Sequence, residues 1–307
     1  MLARKVLLLL MASLLFAGSF VAGKYTTVDL EPITTSLLRY LVALLFLSAL
    51  VVWYRPESLR LAAADLLPMA LLGTFGIVGY HYFFFASLRH TEVANTAIIN
   101  AVNPVLTGLL AAVFIQERLH WRSYVGVAIA FVGVLILITQ GQLTALFQLD
   151  FNRGDLLMMA AVMSWVVYSL LIRQLSKRYS GYAITFYAAL FGVLQLAVLA
   201  IPEGAIAQVQ AISLASIFAV LYMGIGASGI GYFLYNLSVK DVGPTRTSSF
   251  VYSFVPIFVA LLAFLFFGET VTPIMLVSMT LIIVGLNFTL KGTSKRPVPP
   301  DPFRKVD

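Results

Sequence analysis

Apolar residues fill the chain in runs of about 20, and short polar segments separate these runs. An α-helix needs about 20 residues to cross a bilayer, whereas a membrane β-strand alternates apolar and polar positions over about ten. The pattern therefore predicts ten membrane-spanning helices with no soluble domain between them. The predicted spans are Val6–Gly23, Ile33–Trp53, Leu66–Leu88, Val93–Ile115, Tyr124–Thr139, Leu156–Ile172, Ala183–Ile201, Ser213–Leu237, Thr247–Phe267 and Pro273–Leu290.

The first apolar run follows Arg4 and Lys5 and ends near the small residues Ala22 and Gly23. A cleaved signal peptide shows the same pattern. Because nine further predicted spans follow, we interpret this run as the first transmembrane helix.

The pattern of the chain occurs twice, 152 residues apart. A span with a central proline and a terminal glutamate occurs at Pro104 and Glu117, and again at Pro256 and Glu269. The repeated unit holds five spans, an odd number, so the second copy crosses the membrane in the opposite direction. We therefore expect an all-α integral membrane protein with ten transmembrane helices, arranged as two inverted five-helix repeats. Inverted repeats of this kind are a recurring plan of transporters.

Composition and charge placement agree with this architecture. Hydrophobic residues make up 61% of the 307 positions and charged residues 11%, against about 45–50% and about 25% in soluble domains. Of the twenty Lys and Arg residues, fifteen fall on the side of the termini and three on the other side. The positive-inside rule therefore predicts that both termini lie in the cytoplasm. We expect the protein in the bacterial inner membrane. The predicted repeats cover residues 1–145 and 146–291, and residues 292–307 form a basic, Pro-rich tail that we expect to be disordered.

Polar and aromatic residues at mid-membrane depth are the candidates for a substrate site, because such residues face protein or a water-filled cavity. His81 lies well inside a span, and its counterpart in the second copy is Phe233. Its imidazole either bonds to a neighbouring helix or contacts substrate and relays protons. Asn100 and Asn103 either join helices or line a cavity, and Trp165 either packs in the bundle or lines a pocket. The predicted substrate-binding residues are Ser19, Tyr80, His81, Asn100, Asn103, Trp165, Tyr168, Tyr232 and Tyr252.

Charged residues are placed mainly near span ends. We interpret Arg39, about two turns into the second span, as a structural residue that pairs with Glu31 or Asp29 or caps exposed carbonyls, and Lys24 as an interface residue. None of the thirteen acidic residues falls at mid-membrane depth. This placement argues against strong ion coupling through a buried acid, so we expect facilitated transport or weak proton coupling through His81. No metal or other cofactor is expected, and the absence of cysteine excludes Cys-ligated metal sites.

Glycines recur in the third and eighth spans, at corresponding places of the two copies. Small residues at such spacing let helices approach closely, so we expect close helix packing here and interpret this contact as the interface that moves. The glycines are Gly73, Gly76, Gly79, Gly224, Gly226, Gly229 and Gly231.

An enzyme is the main alternative class. Gly226-Ala227-Ser228-Gly229 fits the GxSG pattern of intramembrane serine proteases, with His81 as base. The serine follows the histidine, opposite to the order in those proteases, and the two residues differ by roughly 10 Å in depth at a rise of about 1.5 Å per residue. The sequence has no HExxH, paired intramembrane aspartates, Walker-type loop, nucleic-acid motif or channel filter. We therefore expect a protein that is not an enzyme.

The order of these features resembles EamA-type members of the drug/metabolite transporter superfamily. The resemblance rests on residues 17–40 (AGSFVAGKYTTVDLEPITTSLLRY), on the two proline and glutamate spans, and on Gly243-Pro244-Thr245-Arg246, which is similar to the Gly-x-Thr-Arg start of the ninth span. It implies a central cavity formed by spans 1, 3, 4, 6, 8 and 9, and export of amino acids or other small metabolites. His81 and Trp165 are similar in position to cavity residues of an aromatic amino-acid exporter branch, which often has an aromatic residue where this chain has Asn100 and Asn103.

We therefore expect a carrier that exports small metabolites by alternating access, foremost amino acids with aromatic or large apolar side chains. Its expected partners are a small-molecule substrate and the lipid bilayer, with protons as a candidate coupling ion and no nucleic acid. One alternative is an exchanger of phosphorylated or nucleotide-linked sugars, which would need several Lys or Arg residues in the cavity. Another is a membrane protein with a structural or sensory role and no transport.

Overall fold

The computed structural model describes residues 2–54, 59–114, 120–142, 151–235, 238 and 244–292. Within these residues the chain is helical and contains no β-strand. The long helices are α1 (Leu2–Thr26), α2 (Pro32–Tyr54), α3 (Ala63–Ser87), α4 (Val93–Asn100 and Asn103–Phe114), α5 (Trp121–Ile138), α6 (Arg153–Leu175), α7 (Gly181–Leu199), α8 (Leu214–Tyr235), α9 (Pro244–Phe267) and α10 (Pro273–Gly292).

The predicted all-helical membrane fold is confirmed. Nine of the described helices are long and apolar enough to cross a membrane, and α10 contributes the shorter apolar stretch Pro273–Phe288. Each predicted span thus coincides with one helix. A short helix that was not predicted, Ala205–Gln210, connects α7 to α8. Glu117, Gly243 and the tail after residue 292 lie outside the described residues.

Helix packing follows the duplication of the sequence. Helix α1 packs on α9. The pair that corresponds to it in the repeat, counted five helices further along the chain, is α6 and α4, and these two helices also pack on each other. In the same way α3 packs on α7 and α8 packs on α2, whereas α5 and α10 pack on each other. Helices from both halves of the chain therefore contact one another. These helices are α1, α3, α4, α6, α8 and α9.

Three helices depart from regular α geometry. Helix α4 is interrupted by a turn at Ala101 and Val102, one residue before the Asn103–Pro104 step, and proline fits the first turn of the segment that follows. Helix α9 continues through Pro256. Helices α3 and α8 each contain a π-helical stretch, Gly73–Gly79 and Tyr222–Gly231, a geometry that often occurs at functional sites.

The glycines of α3 and α8 lie at close helix contacts, as predicted. A Cβ atom added at Gly73 would lie 2.7 Å from the amide nitrogen of Gly192 in α7, and one at Gly224 would lie 2.5 Å from Val42 in α2. Both distances are shorter than real Cβ contacts, so a larger residue would force the helices apart. The same holds for α5 and α10, which touch at Gly133 and Gly285.

Carboxylates at one end of the bundle hold the first turns of neighbouring helices. We call this end, where α1 terminates and α4 begins, the Lys24 end. Glu203 accepts hydrogen bonds from the amides of Ile33 and Thr34 at the start of α2. Glu269 does the same for the first amides of α4, at 3.0 and 3.2 Å. Because these donors lack partners within their own helix, the carboxylates fix the start of each helix.

Candidate functional site

Aromatic rings from both halves of the chain meet at the centre of the bundle. The ring centroid of Tyr80 in α3 lies 4.9 Å from that of Trp165 in α6, which lies 4.8 Å from Tyr168 one turn further on. Tyr252 of α9 packs against the same hydrophobic cluster as Tyr80 and lies near Trp165. Tyr80, Trp165 and Tyr252 keep part of their surface accessible although they lie deep in the bundle. These three side chains are therefore not sealed within the hydrophobic core.

An amide pair lies at the break of α4, beside this aromatic cluster. The Nδ2 of Asn103 donates to the Oδ1 of Asn100 at 2.6 Å, and the hydroxyl of Tyr80 donates to the same oxygen at 3.3 Å. Asn103 is 2% exposed, and its Oδ1 has no hydrogen-bond partner among the described residues. The pair thus joins α3 to α4 and leaves one buried acceptor unused.

His81 bridges α3 and α2. Its Nε2 lies 3.2 Å from the hydroxyl of Tyr40, and its Nδ1 lies 3.2 Å from the carbonyl oxygens of Gly76 and Ile77. The carbonyls can only accept, so the arrangement fits a neutral ring that donates through Nδ1 and accepts from Tyr40. Both ring nitrogens are therefore engaged by the protein.

The remaining predicted site residues lie at the edges of this central region. Tyr168 is 7% exposed and packs beneath Gly76, while Tyr232 of α8 makes an edge contact with Phe16 of α1 at 5.3 Å. Ser19 of α1 accepts a hydrogen bond from Arg39 at 2.8 Å. The structure therefore brings together Tyr80, His81, Asn100, Asn103, Trp165, Tyr168 and Tyr252, with Tyr232 near Tyr80 and Tyr168 and with Ser19 on the α1–α8 side.

The interpretation of Arg39 as a partner of Glu31 or Asp29 is wrong. Glu31 pairs with Arg89 at 2.6 Å, and Asp29 accepts hydrogen bonds from Ser213 and Ser216. These serine donors lower the pKa of the Asp29 carboxyl below its ordinary value. The side chain of Arg39 instead points into the bundle, where it is 6% exposed.

The GxSG serine and His81 do not contact each other. The Oγ of Ser228 accepts from the Nε of Arg39 at 3.2 Å, while His81 is engaged with Tyr40 and two backbone carbonyls. A serine needs a base within hydrogen-bonding distance to become a nucleophile. The described geometry does not assemble that pair.

A polar cavity of about 510 Å³ opens at the Lys24 end. The Nζ of Lys24 donates to the backbone oxygens of Leu88 and Thr91. Burial, followed by the nearby carboxylates of Glu269 and Asp155, raises the pKa of Glu92 above its ordinary value of 4.5. The full lining is Lys24, Arg89, His90, Thr91, Glu92, Asn95, Gln140, Asn152, Glu269, Thr272 and Met275.

Asp155 shows that a position near a helix end does not imply exposure. Its side chain is fully buried in the first turn of α6, where Oδ1 accepts from Thr91 at 2.7 Å. Its Oδ2 has no hydrogen-bond partner within the described chain. Sequence reasoning placed this residue at the span end but missed its burial, because loop packing over the helix end has no signal in the sequence.

These helices and their duplicated packing define a multi-pass membrane protein of the transporter type. Residues 3–139 and 152–291 each match the EamA-like transporter family, so the chain belongs to that family. A solved crystal structure with a TM-score of 0.63 and 21% identity covers 93% of this chain and 96% of its own, which supports the fold.

Relatives across this family are named as transporters. The uncharacterized transporter YyaM of Bacillus subtilis (strain 168) is 25% identical, over 95% of this chain and 94% of its own length. The threonine/homoserine exporter RhtA of Escherichia coli (strain K12) is 26% identical, over 94% and 92%. A probable terminal-alkyne amino-acid exporter of Streptantibioticus cattleyicolor is 26% identical, over 81% of each chain. The chain is thus similar to transporters, two of which are named as amino-acid exporters.

Proposed function

We propose that this transporter exports amino acids or related small amphipathic metabolites by alternating access, with both termini in the cytoplasm and the Lys24 end facing outward. The observation that carries the proposal is the central cluster, in which Tyr80 and Asn100 of the first half meet Trp165 and Tyr252 of the second. The aromatic walls suit an apolar side chain, and the amides suit its polar end. Two relatives named as amino-acid exporters support the same substrate class.

Alternating access would follow from the duplicated packing. We propose that the two five-helix units are inverted repeats whose contacts exchange between two similar arrangements, one open to each side. The π-helical stretches and close glycine contacts of α3 and α8 occur at corresponding positions in the two units. They are the interface that we expect to move.

The proposed substrate fits the charges of the bundle better than a sugar phosphate does. Among the described residues, Arg39 is the one Lys or Arg side chain that is buried. A phosphorylated or nucleotide-linked sugar carries two or more negative charges and would need several cations around it. An amino acid carries one carboxylate.

Counterflow into liposomes tests the proposal. Liposomes that contain the purified protein and a mixed pool of unlabelled amino acids should accumulate labelled aromatic or large apolar amino acids from outside. Trp165→Leu should reduce that uptake about two- to tenfold, since an aromatic contact contributes about 0.5–1.5 kcal/mol. Trp121→Leu, at a residue with 62% exposure outside the cluster, is the matched control and should not change it.

The absence of counterflow for every amino acid would contradict the amino-acid function, and equal effects of the two tryptophan variants would contradict the site. A pH gradient across the same liposomes tests the weak proton coupling that we propose for His81. Proton-linked uptake that survives His81→Phe would rule out that relay.

A further inference from the structure

Arg39 is a buried cation of α2 that bonds to α1 and α8. It lies about 10 Å along α2 from Pro32 at a rise of about 1.5 Å per residue, and its side chain is 6% exposed. No carboxylate among the described residues lies within 4.0 Å of its guanidinium. An arginine stays protonated in proteins, so this positive charge is permanent.

The carboxylates that could have approached Arg39 from the nearest helix ends are engaged elsewhere. Asp29 bonds to the start of α8, Glu31 bonds to Arg89, and Glu203 bonds to the start of α2. By sequence, none of the thirteen acidic residues belongs to the middle of a span. Among the described residues, no carboxylate therefore supplies the counter-charge for Arg39.

Two serines hold the guanidinium in a fixed orientation. Its Nη1 donates to the Oγ of Ser19 in α1 at 2.8 Å, and its Nε donates to the Oγ of Ser228 in α8 at 3.2 Å. No acceptor for Nη2 is found within the described residues. The hydroxyls thus fix two of the three guanidinium nitrogens and leave the Nη2 hydrogens free for a charge-assisted hydrogen bond to a carboxylate.

The surroundings of Arg39 reach the central aromatic cluster. The Cζ of Arg39 lies 5.8 Å from the ring centroid of Tyr40, whose hydroxyl lies 3.2 Å from the Nε2 of His81, and the ring of His81 contacts that of Tyr80 at 4.8 Å. Phenol hydroxyls and a neutral imidazole can solvate a cation but do not neutralise it. A buried charge without an opposite charge is costly, and such residues inside membranes mark substrate or ion pathways.

We propose that Arg39 binds the carboxylate of the transported solute, with Ser19 and Ser228 as positioning residues. This inference rests on the proposed function and narrows the substrate class to monocarboxylates whose apolar part reaches the Tyr80–Trp165 walls. The carboxylate supplies the missing negative charge, and the free Nη2 hydrogens donate to it. Arg39 then selects an amino acid over the amine that remains when its carboxylate is removed.

Two probes that share a phenyl group separate the contribution of the carboxylate. The change in melting temperature of the purified full-length protein gives apparent affinities for 3-phenylpropionate and phenethylamine. Wild type should bind 3-phenylpropionate more tightly. Arg39→Gln should weaken that binding about tenfold to a hundredfold, as expected for the loss of a charge-assisted hydrogen bond, and leave phenethylamine unchanged. Arg178→Gln, which removes a guanidinium with 64% side-chain exposure, is the matched control and should change neither affinity.

Equal affinity of wild type for the two probes, or unchanged 3-phenylpropionate binding in Arg39→Gln, would overturn the proposal. Arg39→Lys keeps the charge without the planar donor geometry and decides the question if Arg39→Gln does not fold. Reduced 3-phenylpropionate binding at a near wild-type melting temperature supports the proposal, and unchanged binding contradicts it.

Counterflow of labelled L-phenylalanine, measured on the same variants, separates this inference from the proposed function. Uptake by wild type that persists in Arg39→Gln would sustain amino-acid transport and overturn the role of Arg39. The opposite outcome is also distinguishable. If wild type exchanges no amino acid but binds 3-phenylpropionate, and Arg39→Gln abolishes that binding, the Arg39 site is sustained and the amino-acid function is overturned.

Discussion

The contact between α5 and α10 gives a direct test of how closely these helices pack. A Cβ atom at Gly285 would lie 2.5 Å from the carbonyl oxygen of Gly126 and 2.6 Å from the amide nitrogen of Ala130. Ordinary contacts of a Cβ begin at 3.4 Å, so Gly285→Ala must separate the two helices by about 0.9 Å, the difference between 3.4 and 2.5 Å. The obstructing atoms belong to the backbone and cannot rotate away. The separation also removes contacts of neighbouring side chains.

We expect Gly285→Ala to lower the free energy of unfolding by about 1–3 kcal/mol, the usual cost of overpacking. Equilibrium unfolding in mixed detergent–lipid micelles, followed by circular dichroism, measures this change. Gly181→Ala is the matched control, because a Cβ there meets nothing within 4 Å. The control should be neutral or slightly stabilising, since alanine restricts the unfolded chain.

The second glycine of this contact tests whether the two substitutions act on one interface. A Cβ at Gly133 would lie 2.9 Å from the carbonyl oxygen of Ser278, a milder clash. Once Gly285→Ala has separated the helices, Gly133→Ala should add less than its individual cost, with a coupling of about 0.5 kcal/mol or more. Full additivity, or a Gly285→Ala variant as stable as the Gly181→Ala control, would refute the reasoning.

Three further predictions concern single side chains. The pKa of Glu92 is raised in the folded state, so the folded protein holds the proton of this carboxyl more tightly than the unfolded chain does. The protonated carboxyl therefore contributes fully to stability below pH 4.5, and this contribution is lost as the pH rises through the folded-state pKa. Glu92→Gln should remove this part of the pH dependence in unfolding measurements from pH 4 to 8, and identical profiles would contradict it. Glu269→Ala should destabilise the protein by about 0.5–2 kcal/mol through the loss of the α4 cap, and an unchanged unfolding midpoint would show that the cap is dispensable. His81→Phe leaves the buried hydroxyl of Tyr40 without its partner and should cost about 1–3 kcal/mol; Tyr40→Phe in the same chain should recover part of that loss, and no recovery would argue against the pair.

The number and placement of the helices follow from the sequence because the bilayer imposes a length on every apolar run. Glu269 could also be recognised as a repeated feature, although its contact with the start of α4 emerges only in three dimensions. The break of α4 at Asn103–Pro104 agrees with the chemistry of proline, whereas the same residue type leaves α9 continuous at Pro256. Packing around each helix decides between these outcomes.

The direction of side chains could not be predicted in the same way. A membrane helix is apolar on all sides, so its sequence contains no amphipathic signal to show which face meets the bundle. Arg39 illustrates this limit, since its distance from the helix end suggested a link to loop carboxylates. The structure turns it inward to serines of α1 and α8. The sequence contained one signal that Arg39 faces the bundle: the residue lies inside a span, and no acidic residue lies at the same depth.

In the proposed carrier, the unbalanced charge of Arg39 makes the empty state sensitive to voltage. A unit charge that crosses the full potential across a membrane changes in energy by about 2.3 kcal/mol per 100 mV, and a site that faces each side in turn experiences part of that difference. In the proposed orientation, a negative cytoplasmic potential draws the empty, positively charged site toward the cytoplasm, where substrate is loaded. A bound monocarboxylate without an amino group cancels this charge, so its loaded step escapes that pull, whereas a zwitterionic amino acid leaves the net charge of the site at +1.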